Sequence, residues 1–377
     1  MTSRHIVHVS SVHHADDPRI RGKQLAEVLA AGWRATLVTG DLSATGHDGV
    51  TVIPVAPGNR CRLRRIFVTA PRAIIRAWRL DADIYHLHDP ELLPWAWLLL
   101  AKRRPVVYDI HEDYLTSLRQ KKYLPGILGL LAARVAGAVE CWAARLFYPV
   151  IAEKYYARRF PAALPVLNYP RLSLLACGPA FNSQANRVLY TGNLSLDRGA
   201  LQLARLARCR PDFTVCSVGL CPPGLAAAMR LEAGDAASSL RLTGVGSYIP
   251  FKEIMAAYRS QDWLAGLALF PDTPHYREKE LTKFFEYMAA GLPIVASDFP
   301  GWRKLIVDNG VGLCVDPEDP EAVGKALDWL RGHPEEALAM GRRGRELVRT
   351  IYNWEREGQK LIKFYQELCH RRAKNAA

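Results

Sequence analysis

Two glutamates, Glu278 and Glu286, stand eight residues apart with Lys283 between them in the stretch REKELTKFFEYMAAGLPIVAS, residues 277–297. Helical spacing puts Lys283 and Glu286, three apart, on one face. A carboxylate there can accept from two neighbouring hydroxyls, as on a ribose. The lysine offers a point charge to phosphate, and Glu278, in the loop before the helix, can accept from the hydroxyls of a sugar. A solvated i, i+3 salt bridge on a surface helix would show the same two residues. It leaves unexplained why FFEYMAAGLPIVAS is so apolar and ends so abruptly at Gly291-Leu292-Pro293. Upstream, RVLYTGNLSLDRGA reads as a strand ending at Gly192, a loop through Asn193, and Arg198-Gly199 opening a helix. Free N–H groups at a helix start beside an arginine suit phosphate. Taken alone, this segment is an ordinary strand–loop–helix turn with a surface arginine.

These residues need elements to hold them, and the chain supplies short Val/Ile-rich runs alternating with segments of helical period. The runs are HIVHVS, then a helix from about Ile20 to Ala31, ATLVTG, TVIPVA, a basic helix, DIYHLH, a helix through PWAWLLLAKR, and PVVYDIH. Fully apolar short strands separated by helices indicate a parallel sheet covered on both faces. After VLNYPRLSLLACGPAFNSQANR the pattern restarts as RVLYTG, FTVCSVG, SLRLTGVG, WLAGLALF, PIVAS and VGLCVD, with helices at the end that include WEREGQKLIKFYQELCHRR. The expected fold is α/β, two facing doubly wound domains over residues 1–170 and 171–350, with a final helix at 351–377. Ligands of such sheets bind at the carboxyl ends of the strands, here in a cleft between the domains.

Composition agrees. A chain of 377 residues is long for one core, and 49% hydrophobic with 23% charged residues is the balance of a globular protein. The eight cysteines are scattered with no Cys-x-x-Cys pair, which argues against a zinc site or disulfide framework and fits a reducing cytoplasm. Cys216 and Cys314 fall in apolar strands and read as core. MTSRHIVHVSSVHHADD lacks the pattern of a signal peptide. The longest apolar run, LLPWAWLLLA, is too short for the roughly 20 residues that span a bilayer.

The net charge of +13 is unevenly placed: residues 60–79 carry seven arginines and no acid, and RQKKYLPGILGLLAARVAGAVECWAARLFYP is a second basic-apolar stretch. Two readings fit, a helix lying on an anionic lipid surface or a solvated basic face over a buried apolar one. Nucleic acid is disfavoured, because no helix-turn-helix, RNP or zinc-finger pattern accompanies the charge.

The segment LTKFFEYMAAGLPIVAS, preceded by Glu278 to give Glu-x7-Glu, resembles the donor-binding signature of the retaining nucleotide-sugar glycosyltransferases of family 4, which have the GT-B fold. YTGNLSLDRG resembles that family's phosphate-binding loop, and HLHDPELLP followed by PVVYDIHEDY resembles its N-terminal domain. The resemblance implies that Glu286 binds the ribose and Glu278 the donor sugar. Arg198 and Lys283 hold the diphosphate with the amides around Gly192 and Asn193, and His111 faces the transferred sugar. It places Asp17, Arg19, His88, Asp89 and Glu112 on the acceptor side. Two departures stand out: Asn193 replaces an arginine common after the loop glycine, and Asp-Asp-Pro-Arg replaces the family's frequent Gly-Gly in the N-terminal loop.

The resemblance further implies retention through front-face attack, with no metal or other cofactor. The donor is a nucleoside diphosphate sugar, uridine preferred over guanosine, and the acceptor a polyprenyl-diphosphate-linked or other glycan. The expected location is the cytoplasm, peripheral on the inner membrane face. Asp81-Ala82-Asp83 mimics a metal-binding Asp-x-Asp but precedes its strand, so it reads as a loop end. His13, His14, Asp16 and Asp17, and likewise His86, His88 and Asp89, are ligands by type. His86 and His88 share one strand face with no third ligand evident. Two rival functions remain: a sugar-nucleotide epimerase or phosphorylase on the same fold, and a non-enzymatic basic binding module. An epimerase forms product without acceptor; a binding module tolerates alanine at Glu278, Lys283 and Glu286.

Overall fold

The computed structural model describes residues 3–41, 48–55, 62–111, 126–176 and 178–376. The chain divides into two compact units, Met1–Asn168 with Glu355–Ala377, and Tyr169–Trp354. The divisions fall two residues before and four residues after the boundaries expected at 170/171 and 350/351.

Among the described residues the first unit carries seven parallel strands: β1 (His5–Ser10), β2 (Arg34–Thr39), β3 (Thr51–Pro54), β4 (Ile84–Leu87), β5 (Val106–Ile110), β6 (Tyr148–Ile151) and β7 (Leu164–Pro165). Their order is β3-β2-β1-β4-β5-β6-β7. Every residue of β1, β4 and β5 is buried, as a sheet covered on both faces requires. The composition does not announce β6. The helix Gly126–Leu146 runs into it across Phe147 alone, and Pro149 lies inside it. No turn residues mark the change, and a proline within a run reads as a break.

The terminal helix Trp354–Ala376 packs on this unit through buried Leu361, Tyr365 and Leu368. The Glu357 carboxylate there accepts from the Leu167 N–H at 2.9 Å.

The second unit carries β8 (Arg187–Thr191), β9 (Thr214–Cys221), β10 (Leu240–Val245), β11 (Ala265–Ala268), β12 (Ile294–Ser297) and β13 (Gly312–Val315), all parallel and in the order β10-β9-β8-β11-β12-β13. Cys216 is buried in β9, while Cys314 in β13 is only half-buried because its strand lies at the sheet edge. The helix Thr282–Ala290 ends at Gly291, whose φ of 68° is the left-handed cap glycine adopts freely. In both sheets strand order reverses after the first strand of the unit, between β1 and β4 and between β8 and β11. Ligands of doubly wound sheets bind at the carboxyl end of such a reversal.

Candidate active site

In the second unit β8 ends at Thr191 and the chain turns through Gly192, at φ 99°, into the short helical turn Leu196–Arg198. Gly199 follows at φ 84°, and a Cβ there would lie 1.8 Å from the Leu269 carbonyl oxygen. Only glycine lets this loop close against the chain leaving β11, and the helix Ala200–Cys209 starts from that contact. Arg198 folds back over the loop, donating from Nη1 to the Asn193 carbonyl at 3.3 Å and from Nε to the Tyr276 hydroxyl at 3.4 Å.

The Lys283 ammonium sits 3.5 Å from the centre of the Tyr190 ring and 4.9 Å from that of Phe270, a cation–π seat. Among the described residues no carboxylate forms an ion pair with it. Burial first, and then the Arg198 charge, pull the Lys283 pKa well below the usual lysine range, with Glu286 opposing. A largely desolvated ammonium with an exposed guanidinium near it is a geometry an anion completes.

Glu286 is held by a short chain of hydroxyls. Tyr258 donates to Glu286 Oε2 at 2.7 Å, so the Thr191 hydroxyl, 2.7 Å from the Tyr258 oxygen, must donate to it. Burial, then Glu286, push the Tyr258 pKa well up, so the phenol stays a donor. Tyr287 receives the Thr191 N–H at 3.1 Å and anchors β8 to β11 through the Leu189 and Leu267 carbonyls. Glu278 is exposed at the end of the turn Pro274–Arg277. Its loop is fastened by Trp302 Nε1, which donates to the Lys279 carbonyl at 2.8 Å.

In the first unit the corresponding reversal is filled with histidines. Asp109, fully buried at the end of β5, receives Arg19 Nε on Oδ2 at 3.1 Å and Arg19 Nη2 on Oδ1 at 2.9 Å. Its Oδ2 also takes Gln24 Nε2 at 2.6 Å and lies 3.1 Å from His111 Nε2. Burial would raise the Asp109 pKa, but Arg19, His111 and His86 hold it well below the usual carboxylate range. His8, His86 and His88 stack with ring centres 4.5–5.0 Å apart, and burial first keeps all three below the ordinary imidazole value. Asp89 clamps the loop after β1, accepting the Ser11 N–H at 2.6 Å and the Ser10 hydroxyl at 2.8 Å. His13 lies 3.2 Å from Asp17 and 3.4 Å from Asp89. Burial opposes its charge, but the bond to Asp17 and the field of Asp89 raise its pKa to about 9, and Asp17 falls to about 2.

Gly192, Asn193, Arg198, Lys283 and Glu286 thus come together at the carboxyl end of β8, with exposed Glu278 on a loop after β11. On the acceptor side the picture differs from expectation. Arg19, His88 and Asp89 are 5%, 2% and 2% exposed and engaged with other side chains or backbone N–H groups, so they brace the loops instead of offering contacts. Asp17 and His111 keep partial exposure, at 22% and 13%. Glu112 lies outside the described residues.

The residues that composition does not single out are Tyr258, Tyr190, Gln24, Asp109 and Tyr365. For Asp109 the signal is present: β1, β4 and β5 each interrupt an apolar run with a His or Asp. The third neighbour of His86 and His88 is Asp109, not Asp89, and one ligand atom from each of the three lies within 4.8 Å of the others. Such a set ligates cations by type, but Asp109 Oδ2 already takes three donors and carries a guanidinium beside it, so it does not fit a further cation.

The family described as "Glycosyl transferases group 1" matches residues 179–347, and "Glycosyltransferase Family 4" matches residues 22–160. A phosphatidyl-myo-inositol mannosyltransferase from Mycolicibacterium smegmatis is 24% identical over 361 residues, covering 91% of this chain and 88% of that protein. Its counterpart from Mycobacterium tuberculosis is 26% identical over 372 residues, 93% of each. Among solved structures, sucrose-phosphate synthase from Thermosynechococcus elongatus superposes with a TM-score of 0.74 at 19% identity, over 97% of this chain and 99% of that one. Anabaena HepE in complex with UDP and glucose gives 0.69 at 14% identity, over 96% and 99%.

Proposed function

The chain belongs to the family-4 glycosyltransferases of the GT-B fold, and we propose that it is a retaining, metal-independent member that glycosylates a lipid-linked acceptor at the cytoplasmic membrane face. The observation that carries this reading is the pair Arg198 and Lys283, set at the carboxyl end of β8 beside a tyrosine-held Glu286. Breaking the bond between the sugar and the diphosphate places negative charge on the leaving group. Preorganised cations and loop N–H groups stabilise that charge without a metal. The bond from C1 to the phosphate oxygen breaks as the acceptor oxygen bonds to C1 from the same face, and the acceptor's proton passes to the departing diphosphate. Glu286 takes the ribose hydroxyls, Glu278 the hydroxyls of the donor sugar, and His111 a hydroxyl of the transferred sugar.

The relatives' names support an acceptor with an inositol-phospholipid headgroup, alongside the polyprenyl-diphosphate glycan expected from sequence. The surface supports a membrane partner. Leu63, Phe67, Ile75 and Trp78 stay exposed between Arg64, Arg72, Arg76 and Arg79, while Ala73, Ile74 and Ala77 take the buried side. Four apolar side chains exposed among arginines favour a lipid surface over a merely solvated basic face. Among the described residues no helix is long and apolar enough to cross a membrane.

Support for the donor base divides. Uridine is the expectation from sequence, whereas a Mycobacterium tuberculosis relative, 35% identical over 81 residues, is named a GDP-mannose-dependent mannosyltransferase. Calorimetric titration of the full chain with UDP and GDP, without metal, decides the base. Micromolar binding of one nucleotide, lost in Glu286→Ala, is expected. Equal binding by that variant, or none by wild type, sinks the donor site.

A further inference from the structure

Three helices cover one face of the first unit's sheet. The crossovers β3 to β4, β4 to β5 and β5 to β6 all move the same way along the strand order, and right-handed crossovers set such connections on one face. The helix Ala70–Trp78 packs on the helix Leu93–Leu100, which packs on the helix Gly126–Leu146. Inward they turn Ala73 and Ala77, Ala96 and Leu99, and Ala143, all fully buried in one core cluster. Outward each turns a tryptophan: Trp78 is 42% exposed, Trp97 55% and Trp142 51%. Leu100 is exposed one turn after Trp97, and Val135 and Leu146 flank Trp142 at helical spacing, so the outer apolar residues form stripes. An ordinary surface helix keeps its bulk inside and its charge outside, whereas these hold tryptophan over alanine.

The charge on this face has one sign. Residues 62–78, 93–100 and 126–146 hold a single acid, Glu140, which is buried 2.9 Å from Arg159 Nη1. Arg72, Arg76, Arg134 and Arg145 are exposed beside the apolar stripes. The Lys102 ammonium lies 4.5 Å from the centre of the Trp78 ring, linking the ends of the first two helices. Half-buried Trp95 donates its indole N–H to the Ile66 carbonyl at 2.8 Å. Among the described residues no protein acceptor meets the indole N–H of Trp78, Trp97 or Trp142. An apolar ring with an unmet polar edge, flanked by cations, suits the boundary between acyl chains and phosphate headgroups. A second copy of the chain fits less well, because a two-fold contact would set arginine against arginine.

We propose that the outer surface of these three helices is one docking surface for an anionic bilayer, with Trp97 and Trp142 entering the headgroup layer beside the basic helix. The inference rests on the proposed activity at the membrane face and deepens it, because it names the partner's chemistry and the orientation of the first unit. A single amphipathic helix tethers a protein without aiming it, whereas contact across three adjacent helices fixes a plane. A helix layer pressed on the bilayer lays the sheet behind it parallel to the membrane. The carboxyl ends of β1, β4 and β5, with His111 just beyond β5, then open along the lipid surface and not away from it.

Sedimentation of the full chain with phosphatidylcholine vesicles, with and without phosphatidylglycerol, tests this. Wild type should bind the anionic vesicles, and brominated acyl chains in them should quench its tryptophan emission. The double substitution Trp97→Ser and Trp142→Ser removes two half-exposed side chains. It should weaken vesicle binding about tenfold or more while UDP or GDP binding stays at the wild-type level. Leu231→Ser, at a position 84% exposed in the second unit, should change neither. Wild-type vesicle affinity in the double variant overturns the inference and leaves the basic helix as the whole contact. Binding by wild type without quenching, or equal binding to the neutral vesicles, overturns it too, and neither result needs a variant. A wild-type chain that ignores vesicles but dimerises through these tryptophans overturns it in favour of a second copy. Failure of wild type to bind either nucleotide would instead overturn the proposed function, and the vesicle result would stay readable.

Discussion

The two units build the same strand reversal and fill it in opposite ways. Between β1 and β4 the charged groups answer one another: Asp109 takes Arg19, Gln24 and His111, Asp89 takes a serine hydroxyl and N–H groups, and His13 sits between two carboxylates. Between β8 and β11 one of them stands apart. Lys283 rests on aromatic rings near Arg198, and no carboxylate closes on it among the described residues. A charge taken from water is costly unless something compensates it. The first unit is compensated in advance. The second leaves Lys283 without a carboxylate partner among the described residues, and the proposed diphosphate is what would supply the missing negative charge.

The largest expected effect tests that difference in sign. Arg19→Leu strands the Asp109 carboxylate and should cost about 3–5 kcal/mol of stability, measured by urea unfolding. Lys283→Met removes a charge the fold accommodates at a cost, so stability should hold or rise. Its kcat for sugar transfer should nevertheless fall roughly 10²–10³-fold, as when one preorganised donor to developing negative charge is removed. Equal destabilisation by the two substitutions would erase the contrast drawn here. A second consequence follows from the lowered Lys283 pKa: a bound diphosphate raises it, so nucleotide binding should take up protons at any pH where the unliganded ammonium has begun to lose its own. Titration heats should then depend on the ionisation enthalpy of the buffer in wild type and not in Lys283→Met.

How far each site shows in the sequence follows from the same contrast. The donor residues are local: Glu278, Lys283 and Glu286 fall within nine residues, and the strands around them alternate cleanly with helices. Asp109, the stacked histidines beside it and their partners are gathered from positions as distant as Arg19 and Tyr365, and nothing in local spacing says that Arg19 pairs with Asp109 and not with solvent. Arg19, His88 and Asp89 therefore read as acceptor contacts by type, although packing brings them inside. Tyr258 escapes notice for the same reason, since a tyrosine inside a helical run looks like core until its hydroxyl meets Glu286. Strand β6 hides because no turn separates it from the helix before it.

A smaller effect separates holding from binding within the donor site. Tyr258→Phe leaves Glu286 in place but frees its carboxylate to turn, at the loss of one hydrogen bond to a charged group. Nucleotide affinity should weaken about tenfold. If Glu286 acts on the ribose, the loss should shrink for a nucleotide lacking the ribose hydroxyls. An equal loss for both would move Glu286 away from the ribose.

The smallest effect concerns a pair of the first unit, His13 and Asp17, whose two side chains both keep partial exposure. His13 is raised from near 6.5 to about 9, so its contribution to stability is complete below the lower value and disappears as pH climbs through the upper. Asp17 is lowered from 3.8 to about 2, so its contribution is complete above the first and disappears as pH drops through the second. The pair stabilises fully from pH 3.8 to 6.5 and should lose ground on the alkaline side first. Both side chains are about a quarter exposed, which screens the effect to a Tm change on the order of a few degrees. Melting wild type and His13→Gln from pH 5 to 10 isolates it, because the variant has no imidazolium to lose and its alkaline decline should flatten. Parallel declines would mean that His13 is not held as a cation and that the loop after β1 owes its shape to Asp89 alone.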